Sequence, residues 1–166
     1  MDADMIIRDE KQCDASAIRQ VVTDAFGQPE EAALVDALRN SGDVSISLVA
    51  EIDATIVGHI LFSQLQAPAG CLALAPMAAA PNHQGEGIGT ALIREGLARA
   101  KKNGWKGVFV LGDPDYYTRF GFSVAMTENF ETDYPRPYFM ALELTPNALA
   151  DDAGPVVYAA PFQALE

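Results

Sequence analysis

The chain opens on a short apolar-rich run, Met5-Ile6-Ile7-Arg8, which reads as a first strand. Asp14 stands at a capping position ahead of Ala15, Ile18, Val21, Val22, Ala25 and Phe26, whose spacing predicts an amphipathic helix with a buried stripe. Gly27 ends it. Pro29 suits a first helical position, Glu30 and Glu31 suit the positive end of a helix, and Leu34, Val35 and Leu38 continue to a stop at Asn40-Ser41-Gly42. The period then changes to two. Ile46, Leu48, Ala50 and Ile52 alternate with Ser45, Ser47, Val49 and Glu51, which predicts a half-buried strand. Asp53-Ala54 turns the chain into Thr55 to Gln66, with Ile56, Gly58, Ile60 and Phe62 expected on one face, and Pro68-Ala69-Gly70 turns it again into Cys71 to Ala80. Three strands on short turns make an antiparallel meander. A helix follows Gly85–Gly89 and runs to Asn103-Gly104. Val108-Phe109-Val110-Leu111 is a buried strand, Pro114 to Phe120 a short helix, and Ser123–Thr127 and Tyr138–Leu144 are further strands. The prolines at 146, 155 and 161 leave only Val156-Val157-Tyr158 able to pair as an edge strand. The order βααβββαβαβ is mixed α/β (α+β).

Composition narrows the classes. At 166 residues, 49% hydrophobic, the chain is one domain with enough apolar surface for a core, and no apolar run is long enough to span a bilayer. Twenty-three Asp+Glu against 11 Lys+Arg give a formal charge of −12, a field that repels nucleic-acid backbones. The start Met1-Asp2-Ala3-Asp4 has no basic, apolar leader, so a cytoplasmic protein is expected, with no membrane partner. Two cysteines and two histidines, widely spaced, offer neither a disulfide framework nor a metal site. Cys71 opens its strand, away from the Gly-rich turn, and is not read as a nucleophile.

The chemistry is concentrated in Leu74-Ala75-Pro76-Met77-Ala78-Ala79-Ala80-Pro81-Asn82-His83-Gln84-Gly85-Glu86-Gly87-Ile88-Gly89-Thr90-Ala91-Leu92. A strand enters a turn with three alternate glycines, and the turn opens a helix. The glycines let backbone N–H groups come close to a ligand, and the helix adds unpaired N–H groups and a partial positive charge. That makes an anion site suited to a pyrophosphate. No lysine precedes Thr90, so this is no Walker loop, and Thr90 stands where the dinucleotide fingerprint needs its third glycine. What remains is Gln84-x-x-Gly87-x-Gly89. Between His83 and Arg119 there are six basic and four acidic residues, a local +2 that fits a polyanionic ligand.

This pattern resembles the GNAT superfamily of acyl-CoA-dependent N-acetyltransferases, whose hallmark is Arg/Gln-x-x-Gly-x-Gly/Ala between the fourth strand and third helix. Tyr117-Thr118-Arg119-Phe120-Gly121-Phe122 is similar to the family's later Tyr-x-x-x-Gly-Phe element. The resemblance is specific over 74–122, follows the element order over about 5–145, and leaves the last twenty residues outside. It implies a single domain over 1–145, with 146–166 as an extension packed on it, and a mixed, mostly antiparallel sheet splayed between its fourth and fifth strands. It implies acetyl-CoA as co-substrate, with Met77, Ala78 and Ala79 pairing through their backbones with the pantetheine arm. Gln84, Gly85, Glu86, Gly87, Ile88, Gly89 and Thr90 would hold the pyrophosphate, and Tyr117 would act as general acid beside the sulfur. The family's loop asparagine is missing from Gly112-Asp113-Pro114-Asp115-Tyr116, where Asp113 and Tyr116 are expected to line the channel instead. Ala79 and Ala80 are smaller than the branched residues usual beside the pantetheine, which leaves extra room for the acyl group.

The function so implied is acetyl transfer, by direct attack, to a primary amine of a small molecule or of a peptide N-terminus or lysine. A different class of reading is a CoA-binding sensor or interaction module without turnover; a third is a nucleotide-binding protein using the same turn. His59, mid-strand among apolar neighbours, reads as structural, and Tyr116 competes with Tyr117 for the acid role. Arg99, Lys101 and Lys102 read as partners of a helix C-terminus. The run Glu128-Asn129-Phe130-Glu131-Thr132-Asp133 is a solvated loop near the acceptor entrance, and the tail strand offers a homodimer contact.

Overall fold

In the computed structural model, which describes residues 4–165, the first strand β1 spans Met5–Asp9, followed by helices α1 (Ala15–Phe26) and α2 (Glu30–Ser41). Strands β2 (Val44–Ile52), β3 (Thr55–Gln64) and β4 (Cys71–Ala79) form the meander. Helix α3 (Ile88–Lys102), strand β5 (Gly107–Leu111) and the single-turn helix α4 (Pro114–Tyr117) come next. Short β6 (Phe130–Glu131), β7 (Phe139–Glu143) and short β8 (Gly154–Pro155) complete the chain. The acidic leader read from the sequence falls largely on residues 1–3, outside the described part.

The main sheet runs β1-β2-β3-β4-β5-β7, and every adjacent pair is antiparallel except β4–β5. Helices α1 and α2 cover one face, where Ile18, Val22, Val35 and Leu38 pack with Val49, Leu61 and Phe109. Helix α3 covers the other, where Leu92 and Ile93 pack with Leu48, Ile60, Phe62 and Val108. Because both faces are covered, β2 is not the half-buried strand its alternation suggests: Ile46 through Ala50 are all buried. The face expected for Ile56 is also corrected. The register shifts between Ala50↔Gly58 and Glu51↔Ile56, so Val57 is an extra residue that turns Ile56 toward the α1/α2 side.

Two other expected strands are reduced. Ser123 makes one bridge to Ala141 before Ala125–Thr127 coils into a 3₁₀ turn, and Val157 makes one bridge to Ala67. The tail instead packs through Leu149, Tyr158, Ala159 and Phe162 into the cluster holding Phe109, Phe130 and Phe139. At the other end, Asp14 holds the expected position before α1 but does not cap it with its side chain. Its carboxylate accepts from Arg8 Nη1 at 2.8 Å and from Lys11 N–H at 2.6 Å.

Beside α2 a polar chain runs from half-buried Arg39 and Glu10 to buried Ser47 and His59. Arg39 on α2 donates from Nε and Nη2 to both oxygens of Glu10, at 2.9 and 3.1 Å, Ser47 Oγ donates to Glu10, and His59 Nε2 lies 2.9 Å from Ser47 Oγ. Glu10 is 3.9 Å from His59 Nε2, but its charge is already matched by Arg39. Burial, aided by the nearby Arg39 charge, therefore pushes the imidazole down to about 3. The unfolded chain takes up a proton near pH 6.5 that the folded chain refuses until about pH 3, so this group lowers stability as pH falls through that window. At roughly 1.4 kcal/mol per pH unit, urea unfolding at pH 5 should show about 2 kcal/mol less stability than at pH 7.5. In His59→Gln that pH-dependent loss should vanish.

Candidate functional site

β4 and β5 start together and then part. They pair only as Cys71↔Gly107, Leu72↔Val108 and Ala73↔Phe109. Beyond that point β4 carries a bulge: from Phe62↔Leu74 to Ile60↔Met77, β3 spends Leu61 alone while β4 spends Ala75 and Pro76. Pro76 has no N–H to offer a ladder, so the pairing yields where that residue stands. The result is a V-shaped cleft whose β4 arm is Leu74–Ala79 and whose β5 arm ends at Leu111, the splay expected from the motif.

The Gly-rich turn closes the β4 arm. Gly85 and Gly87 have φ of +83° and +82°, a left-handed conformation that side chains resist. Ala91 N–H donates to Gly87 O at 3.0 Å as the first helical bond, so the N–H groups of Ile88, Gly89 and Thr90 have no acceptor in the helix. They converge with the positive end of a 15-residue dipole. Gly58 fixes where that helix begins: a Cβ there would lie 2.6 Å from Ile88 Cγ2, so only glycine lets the first turn of α3 rest on β3.

A cavity of about 380 Å³ occupies this corner, lined by Met77, Ala78, Ala79, Gln84, Gly85, Gly87, Ile88, Gly89, Thr90 and Tyr116, with Ala25, Phe26 and His83. Ten of the sequence-predicted residues thus meet in one place. Glu86 stands beside it, exposed, with its Oε2 2.9 Å from His83 Nδ1. Asp113 is spent on α4, where its carboxylate accepts the Asp115 N–H at 2.9 Å. Tyr116 reaches across the cleft, its hydroxyl 3.1 Å from Thr90 Oγ1, and Arg119 lies 4.6 Å above its ring.

Tyr117 is next to the cavity lining but outside it. Its ring packs edge-on against Tyr116 and Phe122 at 5.1 and 5.8 Å, and a Cβ on Gly112 would lie 2.5 Å from its Cε2. Burial, with the Tyr116 phenol beside it, pushes Tyr117 up to about 12, and its hydroxyl makes no hydrogen bond among the described residues. It is a protonated, uncommitted donor at neutral pH. The buried Cys71 thiol is likewise pushed up, to about 11, by burial first and then by Asp152, which suits a core residue better than a nucleophile.

Ala25, Phe26 and His83 line the cavity as well, outside the set the sequence predicts. Phe26 falls in the apolar stripe predicted for α1, yet it is 42% exposed. Its place as the last apolar residue before Gly27, at the edge of the stripe, is the one local signal. The cations read as helix-end partners also divide: Arg99 pairs with Asp9 at 2.6 Å and Glu95 at 3.1 Å, while Lys101 and Lys102 are exposed.

The described residues include no helix long and apolar enough to cross a membrane. The model of the acetyltransferase (GNAT) family matches residues 15–122. Among curated proteins, the uncharacterised N-acetyltransferase YjhQ of Escherichia coli K12 is 41% identical over 133 residues, 75% of this chain and 71% of that protein. The uncharacterised N-acetyltransferase YhbS of the same strain is 32% identical over 160 residues, 93% of this chain and 96% of that protein. Among solved structures, E. coli YhbS in complex with CoA superposes with a TM-score of 0.91 at 31% identity, covering 97% of this chain and 93% of its own. A GNAT family acetyltransferase from Brucella melitensis in complex with acetyl-CoA gives 0.82 at 40% identity, covering 96% and 99%. The splayed sheet, the glycine turn opening α3 and these likenesses agree: the chain belongs to the GNAT family of acetyltransferases.

Proposed function

We propose that the protein transfers an acetyl group from acetyl-CoA to a primary amine by direct attack, with no covalent enzyme intermediate. The observation that carries this is the corner where three acceptor-free N–H groups of α3 meet the unpaired edge of β4. The first would hold a diphosphate and the second would pair with the amides of a pantetheine arm, as an added strand does. Relatives with 31% and 40% identity and the same fold hold CoA and acetyl-CoA.

The amine loses a proton to become a nucleophile, its nitrogen bonds to the acyl carbon, and the C–S bond breaks. Tyr117 gives the departing sulfur its proton and recovers one from the nitrogen by way of solvent, so that an amide and a thiol leave. The acceptor amine belongs to a small molecule, a peptide N-terminus or a lysine, and the cytoplasm is the expected compartment. Residues 146–166 are read as an extension of the transferase domain, given the burial of Leu149, Tyr158, Ala159 and Phe162 in its core.

Calorimetric titration with acetyl-CoA and with ATP tests the donor: acetyl-CoA should bind more tightly, and tighter ATP binding would reject it. A panel of amines with acetyl-CoA, followed by release of free thiol, tests transfer. The two tyrosines should separate. Tyr116→Phe removes the bond to Thr90 at the cleft wall, worth about 1 kcal/mol, and should raise the KM for acetyl-CoA about 5-fold while leaving kcat nearly intact.

A further inference from the structure

Four of the seven arginines, Arg8, Arg19, Arg39 and Arg99, pair with carboxylates, and Arg136 donates to backbone carbonyls. Arg94 and Arg119, both exposed, make no ion pair among the described residues. Each lies over an aromatic ring instead. Arg119 Cζ is 4.6 Å from the centre of the Tyr116 ring, Arg94 Cζ is 5.2 Å from that of Phe120, and the two rings are 5.4 Å apart. Such stacking covers the flat face of a guanidinium and leaves its N–H edge free. Arg119 donates from Nε to Tyr116 O at 2.9 Å, which leaves both of its Nη groups open.

Two contacts fix where these cations stand relative to the glycine turn. Tyr116 lines the cavity with its hydroxyl 3.1 Å from Thr90 Oγ1, so Arg119 is one phenol ring away from the acceptor-free N–H groups. Arg94 follows Thr90 by four residues on α3, one helical turn and about 6 Å along the axis. The acids nearby are largely committed elsewhere. Glu86 Oε2 is 2.9 Å from His83 Nδ1, Glu95 accepts from Arg99 at 3.1 Å, and Asp113 accepts the Asp115 N–H at 2.9 Å. Asp115 itself is exposed, and one carboxylate against two guanidiniums leaves a positive excess. A guanidinium edge offers parallel N–H groups that match two oxygens of a phosphate. The ligand feature that fits is therefore a phosphomonoester a short way from the diphosphate, and CoA carries one on its ribose.

We infer that Arg94 and Arg119 hold the ribose phosphate of CoA and so select CoA over dephospho-CoA, which lacks only that group. The inference rests on the acyl-CoA reading above and deepens it. Calorimetric titration with CoA and with dephospho-CoA tests it, on the unaltered protein and on the double variant Arg94→Gln with Arg119→Gln. The unaltered protein should bind CoA about 10-fold or more tightly than dephospho-CoA, the scale of a charge-assisted hydrogen bond. In the double variant the two affinities should come within about 2-fold of each other, through loss of CoA affinity with dephospho-CoA bound as before. Retained dephospho-CoA binding also shows that the variant is folded. Equal affinities in the unaltered protein overturn the inference and leave the donor reading standing. So does a double variant that keeps the preference, or one that weakens both ligands alike, since the arginines would then only brace Tyr116 and Phe120. No heat from CoA in the unaltered protein would reject the donor reading itself.

Discussion

Tyr117→Phe is expected to lower kcat by about 10²–10³-fold while acetyl-CoA binds as before, because the variant keeps the ring and deletes only the proton. The ring is what the fold uses: it packs edge-on against Tyr116 and Phe122 and fills the space over Gly112. The hydroxyl has no partner among the described residues, so its removal should leave stability unchanged within the scatter of a urea titration. The direction of the phenol's shift matters to the rate. A group held up to about 12 stays protonated across the physiological range, and its acid form is lost only as pH rises through that value. The kcat profile should therefore keep its alkaline side past the ordinary phenol value of about 10. Free thiol release under saturating acetyl-CoA measures both. Unchanged kcat in Tyr117→Phe would move the donor role to Tyr116 or to water. No turnover in either protein, with CoA still bound, would favour the sensor reading.

Gly96→Val should cost about 3 kcal/mol of folding stability, the largest structural effect expected here. Gly96 lies on the face of α3 against β3, where a Cβ would sit 2.3 Å from Phe62 Cε1 and 2.6 Å from its Cζ. Phe62 is fully buried between Leu92, Ile93 and the sheet and has no room to withdraw. Helix α3 would have to lift, and it is the element whose first turn presents the free N–H groups. The urea midpoint should fall, and acetyl-CoA affinity should weaken in the fraction that remains folded. A variant with an unchanged midpoint would show that α3 is not seated on Phe62 as described.

Ten of the residues predicted from the sequence line one cavity, and the reason is their contiguity. The glycine turn, the helix behind it and the strand before it are consecutive residues, so Gly85, Gly87 and Gly89 announce the turn and Ile88 to Lys102 the dipole. Element order came through for the same reason, since helical and strand periods are local. The misreadings share a cause too. Ile46–Ala50 alternates like a half-exposed strand, yet a helix layer on each face buries all five. Val57 looks regular, and only its pairing with β2 reveals the bulge. Ser123–Thr127 has strand-like residues but finds just one partner, Ala141.

Residue order along the chain determined the glycine turn ahead of α3 and the meander, because each depends on backbone geometry among near neighbours. Long-range packing alone decided the rest: Phe26 lining the same cavity as Met77–Ala79, Tyr116 reaching Thr90, and half-buried Arg39 and Glu10 linking to the buried Ser47 and His59. These contacts join residues tens of positions apart. Their energies depend on which surfaces the sheet and helices bring face to face, and no local period encodes that.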